Sequence, residues 1–359
     1  MSAPMFERSD DMKLTVGSIS AYPNNLSVCC IESRNITYAC VVQKTQVHTV
    51  NWDSKSESVS WDSINVTDTA TNKPVDVLQA ALVLPNVRSL PLLVVGTATG
   101  AQVLDMRTRK LLEQQTIETN FASFKELDDN TFWSSFCRGI TCNDNTILVG
   151  TSTGSILLFQ CNSSPDNSIV IFVTPQCAFL IKNWKNSVKE HSASIADLAT
   201  CRYDEITCSC DCSGTINVWS KNMKTVQLRI ATGHPLNAMN VLRRQVIVGT
   251  IRGRVLLYSA SGGELMAEIL AHSRAVTCIS VAPESAYVLS GSEDGRFIVF
   301  KLHTRKPQPY QVEYRYSDEL PNCAIMGAQF TNGRGSRIAV TCFDRNAIYG
   351  YRIVKKASS

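Results

Sequence analysis

One pattern recurs along the chain. A short β-branched or leucine-rich run leads to a small residue or glycine, then to a turn that usually carries glycine, then to a second apolar run that usually ends in an aromatic. Strong copies occupy residues 92–106 (LLVVGTATGAQVLDM), 147–160 (ILVGTSTGSILLFQ), 206–220 (ITCSCDCSGTINVWS), 246–259 (VIVGTIRGRVLLYS) and 287–301 (YVLSGSEDGRFIVFK). Weaker copies occupy 36–52 (ITYACVVQKTQVHTVNW) and 337–352 (RIAVTCFDRNAIYGYR). Each reads as two strands joined by a tight turn. The first apolar residue after each turn is Val47, Val103, Ile156, Ile216, Val255, Phe297 and Ile348, spaced 56, 53, 60, 39, 42 and 51 residues apart, so the count of units is seven.

A further strand precedes each hairpin, as at 195–201, 276–281 and 325–330, and another follows it, as at 226–230 and 265–270. Four strands per unit, at a spacing near the roughly 40–45 residues of a blade, predict an all-β, seven-bladed β-propeller. The longer early spacings are assigned to loops: 163–187 carries Pro165, Pro175 and a Lys/Asn-rich stretch, and 120–131 is polar. Seven blades need about twenty-eight strands, and the third strand of the last blade ends near Val354. The extended segment 14–20 (LTVGSIS), left over before a first strand at 26–31, is predicted to supply the missing one and close the ring. The predicted organisation is a tail at 1–13, a single propeller at 14–354 and a tail at 355–359.

Composition agrees with a packed ring. Hydrophobic residues make up 44% and charged residues 18% of the 359, which excludes a disordered scaffold and a coiled coil. A formal charge of +4 is too small to imply nucleic acid or an anionic membrane surface. The first residues show no signal-peptide pattern and no window is apolar enough for a membrane helix, so a cytoplasmic location without membrane insertion is expected. There the fourteen cysteines are expected as thiols, and the sequons at Asn25, Asn35, Asn65 and Asn162 go unused.

Histidines mark the turns ahead of three hairpins: Glu190-His191, Gly233-His234 and Ala271-His272. In this the chain resembles the WD-repeat family, where a histidine in the loop leading into a blade bonds an aspartate in the middle hairpin, a Ser/Thr and a terminal tryptophan. Carried over residue by residue, blade six has His272, Ser290 and Asp294 with Phe300 in the tryptophan position. Blade four has His191, Ser209 and Trp219 with Ser213 in the aspartate position, and blade five has His234 with Val248, Arg252 and Tyr258. By this mapping no blade holds the full set. A closer resemblance, to one subfamily, rests on short patches from blade one to blade seven: NNLSV (24–28), RNITY (34–38), RGI (138–140), VGTSTG (149–154), AHSRA (271–275), GSED (291–294) and GAQF (327–330). It implies a non-catalytic platform for protein interaction.

The remaining constellations favour structure over chemistry. Cys208, Cys210 and Cys212 alternate along a strand, about 7 Å apart and divergent from any tetrahedral centre, and are read as ordinary thiols, as are Cys29 and Cys30. No His-x-x-x-His or His-Glu pair appears among His48, His191, His234, His272 and His303. The glycine turn 150–154 lacks phosphate-loop spacing and leads into a strand. No cofactor or metal is expected. The arginines carry more information: Arg252, Arg254, Arg274, Arg296 and Arg345 fall in turns that a propeller presents on one rim. Such an arc suits an acidic protein surface or a phosphorylated partner. Alternatively it is a solvated rim offset by Glu293, Asp294 and Asp344. Among loop aromatics, Phe121, Phe124, Trp133 and Trp184, the last lies between Lys182 and Asn186 and is the candidate docking anchor.

The expected function is a scaffold that binds other proteins. A subunit of a microtubule-associated or ciliary assembly is the alternative. A channel enzyme is disfavoured, because the inner strands read CIESR, LQAAL, SIADLA, LNAMN, VTCISV and IMGAQF, with Glu32 and Asp197 as the main ionisable exceptions.

Overall fold

The computed structural model describes residues 4–53, 58–69, 71–117, 135–161, 169–170, 187–303 and 311–354. They form seven antiparallel sheets, one for each repeat. From the inner strand outward, blade four is Ile195–Cys201, Ile206–Asp211, Thr215–Trp219 and Val226–Ala231. Blade five is Leu236–Leu242, Gln245–Thr250, Arg254–Ser259 and Leu265–Leu270, and blade six is Val276–Ala282, Tyr287–Ser292, Arg296–His303 and Gln311–Glu319. Blades one, two and three begin at Ser27–Ile31, Val77–Val83 and Cys137–Asn143, and blade seven at Ile325–Phe330. Each inner strand touches the inner strand of the next blade, and blade seven returns to blade one, so the sheets make a ring.

The second strands are buried along nearly their whole length and mostly apolar because both of their faces are covered. All six residues of Leu92–Thr97 and of Gln245–Thr250 are buried. Seven hydrophobic clusters fill the ring, and each lies between two neighbouring blades. The repeated glycine is explained by the turn that joins second to third strand. Gly154, Gly214, Gly253 and Gly295 have φ of 82°, 106°, 79° and 83°, and a Cβ on Gly253 would overlap the His272 carbonyl.

Closure differs from the expectation in extent. The outer strand of blade seven is built from two pieces, Met12–Ser18 against Arg345–Ile348 and Phe6–Arg8 against Tyr351–Ile353. Residues 6–13 are therefore part of the ring, although their sequence has the look of a tail. Two apolar residues in a polar stretch explain why: Phe6 is 1% exposed with its ring 5.4 Å from and tilted against that of Tyr316 in the cluster between blades six and seven, and Met12 packs against the cluster between blades seven and one. The outer position of blade three is likewise shared, by Ile169–Val170 and Ser187–Lys189, both paired with Ser155–Cys161. Phe121, Phe124, Trp133 and Trp184 lie outside the described residues.

Candidate functional site

The loops that lead from one blade to the next share a face with the turns between second and third strands. In blade four Cys212 N donates to Ser194 O at 2.9 Å, in blade five Ile251 N donates to Pro235 O at 3.2 Å, and in blade seven Phe343 N donates to Ala324 O at 2.8 Å. This is called the upper face.

In blade four these loops enclose a buried polar relay. His191 and Asp211 are both fully inaccessible to solvent. The His191 Nδ1 lies 2.8 Å from Asp211 Oδ2, its Nε2 lies 2.6 Å from Ser209 Oγ, and Trp219 Nε1 donates to Ser209 at 2.8 Å. Burial holds the histidine below its ordinary value, against the pull of Asp211. A neutral ring gives one consistent order of donation: indole to serine, serine to Nε2, and Nδ1–H to carboxylate. The aspartate is not at the position aligned with Asp294. It comes from two residues earlier, while Ser213, which does align, donates to Asp211 Oδ1 at 2.7 Å from its hydroxyl and 3.0 Å from its backbone N–H. Blade four therefore has its acid, and the position-by-position mapping that denies it one is corrected. Asp-x-Ser-Gly is the sequence signal for it, since an Asp before such a turn bonds the backbone two and three residues on.

Blade six keeps a looser version. His272 lies 3.2 Å from Asp294 Oδ2 and 2.9 Å from Ser290 Oγ, with buried Phe300 supplying no donor. In blade five His234 bonds Thr232 Oγ1 through its backbone.

The ring's centre is bridged on the upper side. The link from blade seven into blade one crosses the channel: Asn24 N donates to Thr277 O of blade six at 2.9 Å, and Asn24 Nδ2 donates to Asp197 Oδ2 of blade four at 2.8 Å. Asp197 also accepts from Met239 N and Leu198 N. Burial nevertheless pushes its carboxyl up to about 6. Beneath this latch a cavity of about 570 Å³ runs to Tyr203, Glu284 and Gly333 on the opposite, lower face. The acid that stands out in the sequence is thus engaged in holding the crossing link. Cys208 and Cys210 sit in the cluster between blades four and five, where burial raises both thiols, and Cys212 is exposed in the turn. Among the described residues no cluster of potential metal ligands occurs.

The five arginines all belong to the upper face of blades five to seven, but they are not equivalent. Arg254 pairs with Glu268, and Arg296 lies 3.5 Å from Glu319, both partners standing on outer strands. Asp294 is occupied by His272, Ser273 N and Arg296 N. Among the described residues Arg252, Arg274 and Arg345 are in no ion pair, and the Arg345 side chain bonds Cys323 Sγ and Asn322 O. What the sequence did not disclose is the apolar surface between them. Ile251 is 48% exposed, Leu270 79% and Phe343 40%, with Ile19 at 48% just past the closing strand. Leu270 lies on this face because it pairs with Arg254, the first residue of its strand.

The family model WDR54 matches residues 5–354. The chain belongs to the WDR54 family. WD repeat domain 54 of Rattus norvegicus is 27% identical over 95% of this chain and 97% of its own length, and WD repeat-containing protein 54 of Homo sapiens is 26% identical over 94% and 96%. The match begins at residue 5, just ahead of Phe6, so in this WDR54-family chain the matched region includes the closing strand. A chain in the crystal structure of the mitotic checkpoint complex shares the fold, with a TM-score of 0.70 at 14% identity over 99% of this chain and 95% of that one.

Proposed function

We propose that this WDR54-family chain is a non-catalytic scaffold that binds another protein through the upper rim of blades five to seven. The observation that carries the reading is the alternation on that rim of arginines outside ion pairs, Arg252, Arg274 and Arg345, with exposed Ile251, Leu270 and Phe343. Arginine beside large apolar side chains is the composition of binding hot spots, and a fixed ring presents them at little entropic cost. The partner that fits is a protein surface or segment with carboxylates flanking apolar anchors. A net charge of +4 and the carboxylates distributed along the same rim support a protein partner over nucleic acid. Proximity labelling in cells tests this with Arg252, Arg274 and Arg345 each changed to Glu. Loss of a defined set of labelled proteins, with an unchanged melting temperature, supports the rim, and an unchanged set rejects it. The microtubule-assembly alternative draws on no feature of the fold, and co-sedimentation with polymerised tubulin separates it from a soluble scaffold.

A further inference from the structure

Blade seven brings two cysteines and an arginine together at the upper end of its inner strands. Ile325 pairs with Cys342, and Phe343 N bonds Ala324 O, so Cys323 in the loop leading into the blade sits over the end of the strand that carries Cys342. Arg345 Nε donates to the Cys323 sulfur at 3.2 Å, and Cys342 is the last residue of the strand beneath it. Asn322 O accepts from Arg345 at 3.3 Å and holds the guanidinium in place. Cys323 is partly exposed, whereas Cys342 is 1% exposed.

We infer that Cys323 is a thiol-modification site of this protein, oxidised by peroxides and resolved by Cys342 into a disulfide within blade seven. Partial exposure beside a positive charge, with a second cysteine at the end of the adjoining strand, is the arrangement of reactive, resolvable cysteines. The Arg345 guanidinium donates to the Cys323 sulfur from the exposed side of the loop. That sulfur attacks one peroxide oxygen: the S–O bond forms, the O–O bond breaks, and the departing hydroxide takes the thiol proton and leaves as water, so the cysteine is oxidised to sulfenic acid and the peroxide reduced. The Cys342 sulfur then attacks Cys323. The S–S bond forms, the S–O bond breaks, and the departing hydroxide takes the Cys342 proton as water. Burial raises the Cys342 thiol, so it remains protonated and meets the oxidant only through Cys323. The chemistry is independent of whether the rim binds a partner.

The experiment treats the intact protein with hydrogen peroxide at equimolar dose and maps thiols by mass spectrometry without reduction. The tryptic peptides 316–334 and 338–345 carry the two cysteines. In the wild type they are expected joined. In Cys342→Ser, dimedone is expected to trap sulfenic acid at Cys323 faster than at exposed Cys212, and Arg345→Gln, which removes the N–H donated to the Cys323 sulfur, is expected to slow the trapping about threefold. Trapping at Cys323 no faster than at Cys212, or a wild type without the 323–342 link, overturns the assignment. An Arg345→Gln rate equal to that of the parent removes the guanidinium from it.

Discussion

Replacing Asp211 with alanine removes the acceptor for five hydrogen bonds. Ser213 N, Gly214 N and Thr215 N each donate at 3.0 Å, Ser213 Oγ at 2.7 Å and His191 Nδ1 at 2.8 Å. Hydrogen bonds to a charged group contribute about 1.5–3 kcal/mol each, but bonds sharing one acceptor do not add. Stranding a buried histidine N–H together with turn donors places the expected loss at about 3–5 kcal/mol. For a ring of this size, with an unfolding entropy of about 2 cal/mol/K per residue, that lowers Tm by roughly 4–7 °C. Ser213→Ala removes one of the five bonds and is expected to cost about 1 kcal/mol. The assay is thermal and urea unfolding of both variants beside the wild type. A Ser213→Ala shift as large as that of Asp211→Ala would refute the relay and restore the position-by-position alignment. The pH dependence has a definite sign. Burial opposes ionisation of Asp211, but bonds from Ser213, Thr215 and His191 outweigh it and hold the carboxyl below its ordinary value. Its contribution is present above the ordinary carboxylate range and is lost as pH falls through the lowered value. The advantage of wild type over Asp211→Ala should therefore shrink in acid.

Three further outcomes are expected. Phe6→Ala empties a site 1% exposed between blades six and seven and should cost about 3–5 kcal/mol in urea unfolding, whereas a true tail would show no change. Asp197, pushed up to about 6, favours the folded state most below the ordinary carboxylate value and loses that contribution as pH rises through about 6. A rise of that size corresponds to about 3 kcal/mol, and Asp197→Asn should abolish that slope between about pH 4 and 7; parallel wild-type and variant profiles would contradict a carboxyl raised by burial. Trp219→Phe reproduces what blade six already has in Phe300 and should cost about 1–2 kcal/mol, with no effect expected on the Asp211–His191 bond as read by the histidine's NMR titration.

The hairpins were legible because second strands buried on both faces must be mostly apolar, and because the turns demand glycine at positive φ, as Gly154 and Gly253 show. The acid of blade four was not, because a carboxylate two residues early reaches the same histidine, and position alone assigns the role to Ser213. Phe6–Arg8 is too short for any periodicity to register, and only burial of its aromatic gives it away. The arginine rim could be placed by topology, but its charge balance could not, since Glu268 and Glu319 come from outer strands far from the turns in sequence. Leu265–Leu270 (LMAEIL) shows the same limit from the other side. Its apolar residues look like core, yet Leu265 and Leu270 stand exposed at opposite ends of this outer strand.

One face of the ring is the proposed docking surface. Proximity labelling in cells with two variants decides it: an upper-face variant carrying Ile251→Ser, Arg252→Glu, Leu270→Ser and Arg274→Glu, and a lower-face variant carrying Tyr203→Ser and Val59→Ser. The expected result is loss of the partner set in the first and retention in the second, with both folded by thermal unfolding. Retention in the first with loss in the second would contradict the account and place the docking surface on the face where the channel opens.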